Sequence, residues 1–150
     1  MKKLFLFLLV PIILLVSYLL ASNSQKKNQL KVGSATVNIE IADTGEERSR
    51  GLSDRESLCS DCGLLFIFDE PGFYPFWMRR MNFDIDILWI RNNKVVDITY
   101  GAKAPPKNEF EAPKTIYQSK FPADMVLEVN SGWTKEKGIK TGEKVEIEIK

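Results

Sequence analysis

Between Gly63 and Ile90 the chain reads GLLFIFDEPGFYPFWMRRMNFDIDILWI, an aliphatic and aromatic run into which arginines and acids are set. Charge among such neighbours must be paired, hydrogen-bonded or retained for a function. Leu64 to Phe68 is a wholly apolar stretch of strand length. Ile85 to Ile90 and Val95 to Thr99 form a hairpin around Asn92-Asn93, because asparagine tolerates left-handed turn geometry.

Further strands follow from alternation. Val37, Ile39 and Ile41 alternate with Thr36, Asn38 and Glu40 across Ala35 to Ala42, and Val145, Ile147 and Ile149 alternate with Lys144, Glu146 and Glu148. Thr115 to Ser119 and Met125 to Asn130 read as two more. Thr44 and Glu47 make a capping-box pattern for a short helix that stops at Gly51. Ser131 is expected to cap a second short helix ending at Gly138, with Trp133 plugging one end of the domain. The expected fold is mainly β, a jelly-roll-like sandwich or partly closed barrel with two short helices, preceded by an N-terminal hydrophobic helix.

Lys2 and Lys3 precede Leu4 to Ala21, an uncharged run that reads as a signal peptide or a membrane-spanning anchor. The long apolar core and the poor cleavage sites near Ala21 and Ser24 favour the uncleaved anchor. Both readings place the rest of the chain outside the cytoplasm, facing the cell exterior or periplasm, or secreted. No cysteine follows the apolar run, which excludes a bacterial lipoprotein anchor. Residues 22–34 read as a polar linker and 35–150 as one β-domain. That domain holds 16 Lys and Arg against 20 Asp and Glu, a net charge of −4, so the expected partner is not nucleic acid.

Histidine is absent, which removes Ser-His-Asp and Cys-His catalysis and every His-containing zinc site. No glycine pattern cradles phosphate, and neither cofactor nor metal is expected. Cys59 and Cys62 form a C-x-x-C pair. Outside the cytoplasm it is expected to be a disulfide clip; thiol-disulfide redox or metal chemistry is the alternative, although the strand-Cys-helix setting of thioredoxin is missing.

Asp86 shares a strand face with Leu88 and Ile90 and needs a cation or an amide donor. One reading is an internal brace to an arginine, Arg79 first, with Arg50, Arg55 and Arg80 as others. A second is a polar pocket in which Tyr74, Phe76, Trp77, Arg79, Asp86 and Glu128 bind a sugar-like or small anionic ligand. A third is a carboxylate-dependent hydrolase pairing Asp84 or Asp86 with Glu128.

The chain resembles the domain of unknown function 192 family, small extracytoplasmic or membrane-anchored domains of bacteria and archaea. Arg50-Gly51-Leu52 with Arg55, Gly63 to Phe68, Glu70-Pro71-Gly72, Phe76 to Arg79, Ile85-Asp86-Ile87, Val126-Leu127-Glu128, Gly132-Trp133 and Gly138-Ile139-Lys140 carry the likeness. The resemblance implies an all-β, jelly-roll-like domain behind a leader, with no established activity. Arg80-Met81 stands where the family often has Asn-Thr, and Cys59 with Cys62 occupies a loop that often lacks cysteine. The expected role is an extracytoplasmic binding or accessory domain of the cell envelope, held to the membrane by its N-terminal segment.

Overall fold

The computed structural model describes residues 27–150. The leader expected over residues 1–21 and the start of the expected linker lie outside them. Among the described residues no helix is long and apolar enough to cross a membrane.

Residues 27–150 are mainly β, with two short α-helices and a 3-10 turn at Lys107–Glu109. Nine strands run in chain order as β1 (Gln29–Val32), β2 (Ala35–Ala42), β3 (Cys62–Gly72), β4 (Phe76–Trp77), β5 (Ile85–Arg91), β6 (Lys94–Ala102), β7 (Ile116–Tyr117), β8 (Ala123–Asn130) and β9 (Val145–Glu148). Helix α1 (Gly45–Arg50) lies between β2 and β3, and α2 (Trp133–Glu136) between β8 and β9. Seven strands form one sheet in the order β6-β5-β8-β3-β2-β1-β9, while β4 and β7 pair separately. All neighbours in the large sheet are antiparallel except β2 and β3. A parallel pair needs a crossover, and residues 43–61 supply it, with α1 inside.

The sheet curls until its two ends meet. A bridge joins Lys94 to Lys144, and the Val95 amide donates to Glu143 O at 3.0 Å while the Gly142 amide donates to Val95 O at 2.7 Å. This is the partly closed barrel of the expectation, and it shields the edges that an open sheet would expose. Inside lie Leu30, Val37, Leu65, Leu88, Leu127 and Val145, with Trp133 packed among them as expected. Trp133 also donates its indole N–H to Asp61 Oδ1 at 3.2 Å, which keeps its one polar atom satisfied.

The outer face of β3, β8 and β5 is covered as well. Leu64, Phe66, Ile87, Trp89 and Val126 pack there beneath Leu52, Met78 and Met81. Burial on both faces is why β5 is buried from Ile85 to Ile90 without a break and why the centre of β3 is apolar without alternation. Gly63 belongs to the same closeness: a Cβ there would stand 2.9 Å from both the Glu128 carbonyl oxygen and Leu127 Cδ1.

Several local expectations are met. Thr44 and Glu47 form the full capping box of α1, and Asn92 and Asn93 take φ of 48° and 55° in the β5–β6 turn. Others need correction. The linker expected over 22–34 gives way to β1 at Gln29, which pairs with both β2 and β9 and buries Leu30 and Val32 completely. Two apolar positions between polar residues are too short a pattern to stand out, yet a strand between two neighbours gains a ladder on each side. Ser131 does not cap α2. Gly132 does, at φ 88° and without a side-chain cap. The strand expected over Thr115 to Ser119 is only Ile116–Tyr117, since β4 offers it just two partners.

Candidate functional site

In register, Glu128 of β8 faces Leu64 of β3 on one side and Ile87 of β5 on the other. Directly opposed residues share a face of the sheet, so Glu128 points outward into the covered layer. Asp86 opposes Val129 and points into the barrel. The sheet thus stands between these two acids.

Over Glu128 the covering layer leaves a cleft of about 260 Å³. One wall is the end of α1 and the turn after it, Arg48 to Ser53; the other is Tyr74 to Trp77, with Phe66 and Phe68 of β3 between them. Gly51 ends α1 at φ 52°, a left-handed value that favours glycine. A Cβ there would make only ordinary contact, 3.4 Å from the Phe66 ring and 4.0 Å from Glu128 Oε2, so the positive φ rather than space is what calls for glycine, and the helix end lies over both residues. The opposite wall is built by aromatic stacking. Tyr74 stacks on Phe68 with centroids 3.6 Å apart, and Phe76 meets Phe66 and Trp89 edge-on at 4.9 and 5.2 Å. Trp77 is 45 % exposed at the mouth.

The charges divide sharply. Arg48 donates to the carbonyl oxygens of Asp43 and Ile67 and lies 5.4 Å from the Phe68 ring centroid, so backbone and ring already hold it. Arg55 is bound by both its terminal nitrogens to Glu40 at 2.6 and 2.8 Å. Glu128 is left with no close cation. It is buried, and its Oε2 has no hydrogen-bond partner. Burial pushes its carboxyl up to about 8, against a weaker opposing pull from Arg55. At neutral pH the floor of the cleft is therefore a neutral carboxylic acid, able to donate as well as accept.

Of the residues expected from sequence, Tyr74, Phe76, Trp77 and Glu128 converge on this cleft, and Arg79 and Asp86 do not. Arg79 is exposed and pairs with Glu111 at 3.2 Å. The expected Arg79–Asp86 brace is thus corrected: Asp86 binds no arginine. Its carboxylate accepts from the amides of Gly101 at 2.8 Å, Gly132 at 3.1 Å and Thr134 at 3.1 Å, and from Thr134 Oγ1 at 2.6 Å. Hydrogen-bond donors from backbone can satisfy a buried carboxylate as fully as a guanidinium, and they pin β6 and α2 to β5. Asp84 is likewise outside the cleft, bound to Lys103 Nζ at 2.6 Å. Sequence reasoning missed the α1 side of the site. The available signal was Arg50-Gly51-Leu52, which carried part of the family resemblance but was not linked to Tyr74 to Trp77.

Cys59 and Cys62 are joined in a disulfide, Cα atoms 5.2 Å apart. Asn130 donates its side-chain amide to the carbonyl oxygens of Leu58 and Cys59 at 3.1 and 2.9 Å, tying the loop to β8. Among the described residues, no group of three or more His, Cys, Asp or Glu is placed to hold a metal ion.

Two solved structures are similar over most of this chain. A Sinorhizobium meliloti protein described as a "putative transcription regulator" is 25 % identical, with a TM-score of 0.72 over 83 % of this chain and 95 % of its own. A Novosphingobium aromaticivorans protein of unknown function is 29 % identical, with a TM-score of 0.70 over 79 % of this chain and 83 % of its own. No curated protein matches. The sequence pattern of the domain of unknown function 192 family, described as "Uncharacterized ACR", matches residues 28–147 from β1 to β9, and the chain belongs to this family.

Proposed function

We propose that this protein is an extracytoplasmic binding module of the cell envelope whose cleft over Glu128 takes a small sugar-like ligand. The observation that carries the reading is the unpartnered, buried Glu128 oxygen at the floor of an aromatic-walled cleft. A buried polar atom without a partner costs about 1–3 kcal/mol, and a ligand hydroxyl reaching it would recover part of that. Phe68, Tyr74, Phe76 and Trp77 supply flat apolar surface for the faces of a ring, and polar groups at floor and mouth would orient it. Arg50, at the mouth, makes no ion pair among the described residues and suits an anionic substituent on the same ligand. The leader of residues 4–21 would carry the domain out of the cytoplasm and hold it at the membrane.

Hydrolysis by paired carboxylates fits less well. Such enzymes place two acids roughly 5–10 Å apart across the scissile bond. Among the residues lining the cleft Glu128 is the sole acid, and Asp86 is on the other side of the sheet. Redox work by Cys59 and Cys62 has little support, because Cys62 opens strand β3 rather than a helix that would favour a thiolate.

The test is a calorimetric titration of the full chain, held in lipid nanodiscs, with monosaccharides and envelope-glycan fragments. Saturable binding that Trp77→Ala weakens supports the reading. Absence of saturable binding across the panel overturns it.

A further inference from the structure

A carboxyl group at the floor of a cleft selects its ligand by what it can offer. Register fixes the Glu128 backbone at the centre of the sheet, between Leu64 and Ile87, while its side-chain torsions leave the carboxyl free to turn toward an entering ligand. Its Oε2 is shut from solvent and unpartnered, on a lining that is otherwise mostly aromatic and aliphatic. The other charged or titratable groups around it are Arg48 and Arg50 of α1, Arg55 of the following turn and Tyr74 of the opposite wall. Arg48 and Arg55 are engaged elsewhere, and the Tyr74 hydroxyl donates to Glu70 O at 2.6 Å. None of these three is free to serve the ligand end that reaches the floor.

A neutral carboxylic acid presents one O–H donor and one carbonyl acceptor side by side in a plane. A lone sugar hydroxyl uses only one of these well. A secondary or primary amide uses both, its carbonyl accepting from the acid while its N–H donates back, and its methyl or methylene neighbours suit apolar walls. Resting on the sugar reading above, we infer that the cleft recognises the acylamino group of an N-acylated amino sugar, with Glu128 as the planar partner of the amide and the aromatic wall against the acyl carbon. Atoms and bonds are unchanged, and the event is recognition alone.

Ligand-detected NMR on the full chain in lipid nanodiscs tests this with N-acetylglucosamine and glucose as probes. At pH 6 the N-acetyl sugar should bind at least about tenfold more tightly, the worth of roughly one additional net hydrogen bond. Above pH 8 the preference should shrink, because the ionised carboxylate can only accept and repels the amide oxygen. Glu128→Gln, which offers donor and acceptor at every pH, should flatten that pH profile, and Glu128→Leu should erase the preference. Equal binding of the two sugars would overturn the amide inference and leave the sugar reading standing, as would a preference that persists in Glu128→Leu. Failure of both sugars and of the wider glycan panel would overturn the two together.

Discussion

Replacing Glu128 by Gln should remove most of the pH dependence of stability between about pH 5 and pH 8. In the unfolded chain the carboxyl titrates at its ordinary 4.5, and in the folded protein burial moves it to about 8. The native state therefore keeps a proton that the unfolded state has already released. With more protons bound in the native state, stability falls as pH rises. It is greatest below 4.5, declines through the interval and levels off above 8. At about 1.4 kcal/mol per pH unit the whole interval is worth roughly 4–5 kcal/mol, of which about 3–4 falls between pH 5 and pH 8. The window is free of the usual interference because the chain has no histidine. The carboxylates of Glu40, Asp61 and Asp84 are held below their ordinary range by Arg55, Lys137 and Lys103. Their contribution is present above the ordinary carboxylate range and is lost only as pH falls through their depressed values. Urea denaturation of wild type and Glu128→Gln at pH 5, 6.5 and 8 measures the effect. A buried amide without a partner costs the variant about 1–3 kcal/mol, but equally at each pH, so the difference in slope isolates the proton. Parallel pH profiles for the two proteins would refute the buried neutral acid.

Asp86→Ala should destabilise by about 3–5 kcal/mol, because it strands three amide donors and Thr134 Oγ1, whereas Asp84→Ala, in an exposed pair, should cost under about 1; chemical denaturation of both compares them, and equal losses would count against the Asp86 clasp. A chain beginning at Gly33 should fail to unfold cooperatively while one beginning at Lys27 does, since the former lacks β1 and its ladders to β2 and β9; thermal melts decide, and a cooperative melt of the shorter chain would show β1 to be dispensable. Changing Cys59 and Cys62 together to serine should leave the fold intact at a cost of about 1–2 kcal/mol at most, as a disulfide spanning so few residues removes little entropy from the unfolded chain. Mass spectrometry of protein from the cell exterior should find both thiols oxidised, and free thiols there would end the clip reading.

Much of the fold is legible in the sequence, because its signals are local. Period-two alternation marked Ala35–Ala42, which is β2 end to end. The Thr44 and Glu47 cap announced α1, and the paired asparagines announced the β5–β6 turn. The failures share a cause. The Gln29–Val32 strand is stabilised by two neighbours far away in sequence, β9 among them, and no four-residue pattern carries that information. Asp86 was correctly read as buried but wrongly partnered. Its donors are main-chain N–H groups at 101, 132 and 134, and the backbone offers the same donor at nearly every residue, so composition cannot say which ones arrive.

The candidate site divides the same way. Side-chain chemistry by itself determined its aromatic wall, because Tyr74, Phe76 and Trp77 lie within four residues of one another and need only a bend to face together. It also determined that no histidine-based reaction is open to this chain. Only the tertiary structure decided that Glu128 and Asp86 lie on opposite faces of one sheet, one beneath a cleft and the other inside the barrel. Within each strand the residues alternate from face to face, but which face meets the interior depends on the register between β5 and β8 and on the curl that closes the barrel. A slip of β5 by one residue against β8 would have put both acids on the same face of the sheet, and that register is held by packing across the whole domain rather than by any residue near them.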